Sequence, residues 1–212
     1  KEYLVEQIND YRDAFKDYPD TTICYSVKAN SNLSILKIFK DLGSGFDIVS
    51  GGELERITAI GADPNLVVFS GVAKSPDEIQ KAIEFGILFF NVESFDELEV
   101  INRIAESAKN IARISIRVNP DIDPKTHPYI STGLKSSKFG IAIEQSFEIY
   151  KEANKMNNIN LVGIDAHIGS QILDLDPFED SLERLEGLYH KLKDENIAVS
   201  YTHLTLPTIL LV

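Results

Sequence analysis

Along nearly its whole length the chain alternates short apolar runs with amphipathic helical stretches, and no two apolar runs resemble a hairpin. The apolar runs fall at 21–24, 46–49, 66–69, 87–92, 111–118 and 161–167, and a further one begins at 197–199. Helical spacing fills the intervals 31–42, 53–60, 75–86, 94–108, 144–154 and 177–194, and an amphipathic helix opens the chain. Strands joined through helices form a parallel sheet with right-handed crossovers. Several units repeat at roughly 20–25 residues, which suits a β/α barrel. Neither G-x-G-x-x-G nor G-x-x-x-x-G-K-[ST] occurs, so the dinucleotide and P-loop alternatives lose their main support. A closed barrel has eight strands. The expected fold is therefore an α/β, TIM-type (β/α)8 barrel, incomplete at its C-terminal end.

The charge balance narrows the class of partner. A net charge of −12 over 212 residues, with no basic stripe, argues against a nucleic-acid surface. A single cysteine, Cys24, excludes an internal disulfide and suits a reducing cytoplasm. No apolar run reaches the roughly 20 residues that span a bilayer. Residues 1–199 read as the barrel portion. After Glu195 the chain contains no Asp, Glu, Lys or Arg, and residues 200–212 read as a non-native tail.

Chemistry-bearing residues recur where strands hand over to helices, the end of such sheets at which active sites form. Lys28 follows the first run, in Tyr25-Ser26-Val27-Lys28-Ala29-Asn30. Asp47 interrupts the second, with Glu53 just beyond; Arg117 lies near the end of the fifth, and His167 ends the sixth. Each has a plain structural alternative. Lys28 is also what a solvent-facing strand end looks like, and Asp47 suits a strand cap. Glu53 suits a first-turn acid, Arg117 a bridge to surface acids, and His167 a hydrogen-bonded core residue. Their shared position in successive units favours one mouth. A lysine there forms a Schiff base readily. An imidazole stacks on a flat ring, Gly169 permits close approach, and the Ser170 hydroxyl donates to a phosphate oxygen. Lysine, ring and phosphate together describe pyridoxal 5'-phosphate. The four histidines show no H-x-x-x-H spacing and no cysteine cluster exists, so no metal is expected.

These motifs resemble a known family. Tyr25 to Asn30, Gly45-Phe46-Asp47-Ile48-Val49-Ser50-Gly51-Gly52-Glu53-Leu54, Arg117-Val118-Asn119-Pro120, Lys138-Phe139-Gly140-Ile141 and His167-Ile168-Gly169-Ser170-Gln171 are similar to the diaminopimelate decarboxylases. These are fold-type III pyridoxal-phosphate enzymes, grouped with alanine racemase and ornithine decarboxylase. The run from Asn119 to Gly133 is the part most particular to that family. The resemblance implies that Lys28 is the catalytic residue carrying the cofactor's aldimine, that His167 stacks on its ring and that Ser170 binds its phosphate. Asp47 orients the site beside Lys28, with Arg117 and Glu53 in supporting positions. It further implies a cytoplasmic homodimer acting on a small amino acid, with no nucleic-acid or membrane partner. The family's glycine loop, its Glu-Pro-Gly-Arg segment and its β-domain have no counterpart here, so this chain reads as an inactive fragment. A relative acting on another basic amino acid or polyamine precursor, and a non-catalytic cofactor-binding barrel, remain alternatives.

Overall fold

A computed structural model describes residues 1–122, 139–170, 172 and 174–204. The motif residue Gln171, the part of the family-specific run from Asp123 to Gly133, residues 134–138, and residues 173 and 205–212 lie outside the described residues.

Local signals set most helix boundaries. Helix α1 is Glu2–Ala14 and α2 is Leu33–Asp41, where the Asn32 side chain accepts from Ser34 N–H. Helix α3 (Gly51–Ala59) and helix α5 (Phe95–Ser107) are capped by Ser50 and Ser94, each accepting from an N–H three residues on. Helix α4 (Pro76–Phe85) has a full capping box between Ser75 and Glu78, proline in its first turn, and Gly86 at φ 80° as its left-handed stop. Helices α6 (Ile143–Ala153) and α7 (Asp176–Asp194) complete the set.

The strands are β1 Cys24–Ser26, β2 Gly45–Ile48, β3 Val67–Phe69, β4 Phe89–Val92, β5 Ala112–Asn119, β6 Ile141–Ala142, β7 Ile159–Ala166 and β8 Tyr201–Leu204. All pairings are parallel, in the order β1-β2-β3-β4-β5-β7-β8, with β6 added at the end of β5. Among the described residues β1 and β8 do not pair, so the sheet is a partial barrel, as the alternation predicts.

Period-two alternation gives the sheet two unlike faces. Phe46, Ile48, Val67, Phe69, Phe90, Val92, Ile114 and Ile116 face the helices and join one large core with Leu36, Leu54, Ile79, Leu98, Tyr150 and Leu188. Among the described residues the opposite face holds a small apolar cluster of Val68, Phe89 and Val162, with Cys24 and Leu88 against it. Between Ile114 and Ser115 the register with β7 shifts by one residue. That bulge takes up Val162, so Gly163 aligns with Ser115 and Asp165 with Arg117.

Several boundaries differ from the sequence reading by about two residues, β6 is not anticipated by it, and the two ends of the sheet differ most. The first strand lies at Cys24–Ser26 rather than 21–24, and a single 3-10 turn, Val27–Ala29, carries Lys28. The last lies at Tyr201–Leu204 rather than 197–199. Asn196 has φ 57°, and Ile197 N–H bonds back to the Leu192 carbonyl at 2.9 Å. This six-to-one bond terminates α7 and buries Ile197 in the helix-side core, so the strand starts later. No helix among the described residues is long and apolar enough to cross a membrane.

Candidate active site

On the face away from the helices, polar side chains gather toward the C-terminal strand ends. Parallel register sets Ser26 beside Asp47, Asn91 beside Ser115, and Arg117 beside Asp165. Asp47 is 4% exposed, Asn91 and Ser115 are fully buried, and Asp165 is 2% exposed.

A directed chain of hydrogen bonds crosses three strands. Asn91 Nδ2 donates to Ser70 Oγ at 3.0 Å, and Ser70 Oγ donates to Asp47 Oδ1 at 2.6 Å. The Ser70 proton is therefore committed to Asp47, which acts as an acceptor. Burial pushes the Asp47 carboxyl above its ordinary range; His203, the Ser70 bond and Lys28 oppose the shift, and Asp165 adds to it.

Lys28 is exposed at the end of β1, within the electrostatic reach of both Asp47 and Glu53. Glu53 is half-buried, and its Oε2 accepts from Val49 N–H at 2.8 Å. It thus closes the turn before α3 while presenting charge to Lys28. Burial raises its pKa, the Val49 bond opposes this, Asp47 adds to the rise and Lys28 opposes it. The sequence-predicted trio of Lys28, Asp47 and Glu53 is brought together.

A second strand-end lysine behaves differently. The Lys74 side chain is fully buried, and its Nζ donates to Gly71 O at 2.6 Å, Asn91 O at 2.7 Å and Glu97 Oε1 at 2.5 Å. All three of its protons are used. Lys74 staples two strand-end loops together and has no capacity left for a ligand.

Arg117 lies beside Glu93 at the same rim. Its Nη1 donates to Glu93 Oε1 at 2.9 Å, and its guanidinium lies 5.3 Å from the centre of the Phe139 ring. This is a buried ion pair, not the bridge to surface acids. His167 follows β7 directly and is half-buried. Beyond it Ile168 is anchored among Ile122, Ile172 and Phe178, and Gly169 takes φ 149°, which fixes the turn that presents Ser170. His203 Nδ1 lies 2.7 Å from Asn91 Nδ2 and 3.2 Å from Asp165 Oδ1.

The sequence reading missed Ser70, Asn91, Glu93 and Asp165. Asp165 was readable: it stands two residues before His167, on the same strand phase, as a charge inside an apolar run.

Fold and site define a parallel β/α-barrel protein with an amine centred among carboxylates at its strand ends. The family profile described as pyridoxal-dependent decarboxylase, pyridoxal binding domain, matches residues 2–206, and the chain belongs to that family. Diaminopimelate decarboxylase of Pseudomonas aeruginosa is 48% identical over 202 residues, 95% of this chain and 48% of that protein. The Haemophilus influenzae diaminopimelate decarboxylase is 53% identical over 182 residues, 86% of this chain and 44% of that protein. The crystal structure of Helicobacter pylori diaminopimelate decarboxylase complexed with L-lysine superposes with a TM-score of 0.92 at 45% identity, covering 95% of this chain and 51% of that one. The chain spans about half the length of the relatives it matches. The family match runs through β8, past residue 200.

Proposed function

We propose that this chain is the cofactor-binding barrel portion of a diaminopimelate decarboxylase, which converts meso-diaminopimelate to L-lysine and CO2. The observation that carries the reading is Lys28: an exposed amine at a strand end, in the field of two carboxylates that burial shifts, while Lys74 is fully committed elsewhere. The relatives bearing that activity's name support the choice of substrate.

The residues present suit pyridoxal phosphate. Ser26 Oγ and Ser115 Oγ are buried on the site's face with no hydrogen-bond partner among the described residues, so the face has unused polar capacity. When bound, the cofactor supplies an electron sink for the bond to the departing CO2. Lys28 would be the amine that holds the cofactor, exposed at the strand end where a substrate amine can reach it. His167, whose ring is flat, would hold the cofactor's ring, and the Ser170 hydroxyl would be a donor for its phosphate. Asp47, held as an acceptor by Ser70, stabilises positive charge at the Lys28 amine. Arg117 and Glu53 support the site from its rim. In the net reaction one carboxylate leaves as CO2 and one proton takes its place on the same carbon.

In this reading residues 1–199 supply the cofactor-binding machinery, β8 adds a strand beside β7, and His203 on it is given no part in the mechanism. A homodimer in the cytoplasm is the proposed working form. The test is CO2 release by the native full-length protein from labelled diaminopimelate, lysine and ornithine. Release from diaminopimelate alone is expected. Release from lysine or ornithine instead would select a different member of the family, and none from any would leave a cofactor-binding barrel.

A further inference from the structure

Glu93 is a buried, multiply bonded carboxylate at the rim of the site. Its side chain is 2% exposed, and both oxygens are used. Oε1 accepts from Arg117 Nη1 at 2.9 Å and from Gly71 N–H at 3.1 Å; Oε2 accepts from Gly140 N–H at 3.2 Å. Gly71 belongs to the turn after β3, at φ 95°, and Gly140 precedes β6, at φ 72°. Glu93 itself follows β4, where its own N–H donates to Glu97 Oε2 at 3.1 Å. One carboxylate therefore ties the ends of three neighbouring strand units to the guanidinium of Arg117.

A buried ion pair is weak evidence of stability, because desolvation offsets much of the attraction. Its use lies in fixing geometry. Arginine has a planar fork of donors, and a bond at Nη1 together with the Phe139 ring face sets the orientation of that plane. Arg117 lies on the site's face, level with Asp165 and two residues above Ser115. Without Glu93 the guanidinium would lose its bonded anchor, and the Gly71 and Gly140 N–H groups would lose their acceptor.

We propose that Glu93 is a positioning residue of the cofactor site, acting through Arg117 to hold the guanidinium toward the bound pyridoxal phosphate. This rests on the cofactor reading above. The test uses the native full-length protein and its Glu93→Gln, Arg117→Met and doubly substituted variants. Each is titrated with pyridoxal phosphate by absorbance and melted without cofactor. Glu93→Gln keeps the shape and removes the charge, and is expected to raise the cofactor Kd about tenfold or more. It should also shift the absorbance band of the bound cofactor. The double variant should bind no worse than Arg117→Met alone, because the effect of Glu93 passes through Arg117. Independent, multiplying losses would overturn the proposal, as would an unchanged Kd in Glu93→Gln. Should Glu93→Gln fail to fold, Arg117→Met decides: a raised Kd supports the proposal and an unchanged one overturns it. Wild-type protein that binds no pyridoxal phosphate would instead overturn the cofactor reading, and this role with it.

Discussion

The two faces of the sheet come from the same short strands yet are built for opposite purposes. On the helix side Phe69, Phe90, Ile114 and Ile116 are buried against the helices in one continuous core. On the other side the apolar layer is thin, and above it stand Asp47, Asn91, Ser115 and Asp165, all buried and polar. Burying apolar area contributes stability roughly in proportion to the area. Burying carboxylates and hydroxyls opposes folding unless each is bonded. One face therefore supplies the stability against which the other can hold charges in place, and substitutions on the two should separate stability from cofactor binding.

The largest expected effect is on the helix side. Phe90→Ala should cost about 3–5 kcal/mol, read from denaturant melts. A loss under about 1 kcal/mol would mean that the site collapses easily and that the contrast between the faces is weaker than described.

On the site face the pattern should reverse. His167→Ala is expected to weaken pyridoxal-phosphate affinity while shifting the melting curve little, both measured on one sample of the full-length protein. Unfolding without a specific loss of affinity would return His167 to the role of core residue.

Asp47→Asn sharpens the contrast through pH. Folded Asp47 keeps its proton to a higher pH than in the unfolded chain, where its pKa is near 3.8. Its contribution to stability is therefore fully present below that value and lost as pH rises through the folded pKa. Asparagine has no such loss. The stability of Asp47→Asn relative to wild type should climb across this window, less about 1 kcal/mol for the altered Ser70 bond. A flat difference across pH would show that Asp47 does not feel its burial.

The smallest effect is at a helix start. Ser75→Ala removes half of the α4 capping box and should cost about 1 kcal/mol, with cofactor affinity unchanged.

What the sequence made legible follows the same division. The alternation of strand and helix and the placement of Lys28, Asp47 and His167 at strand ends were readable, because local periodicity carries them. Ser70, Asn91 and Glu93 were not. Each is a single polar residue in or beside a strand of three or four residues, and its meaning appears only when parallel register sets it beside a neighbour. Lys74 shows the same limit from the other direction. In sequence it is another lysine beyond a strand, and only its three bonds remove it from contention. The late start of β8 was hidden because the bond that closes α7 at Ile197 competes with strand formation there.

The central claim is that Lys28, and not another lysine, holds the cofactor. Borohydride reduction of the full-length protein with pyridoxal phosphate, followed by peptide mass mapping, tests it most directly. The account predicts a single adduct on Lys28. An adduct on Lys74 or any other lysine, with Lys28 unmodified, would contradict it.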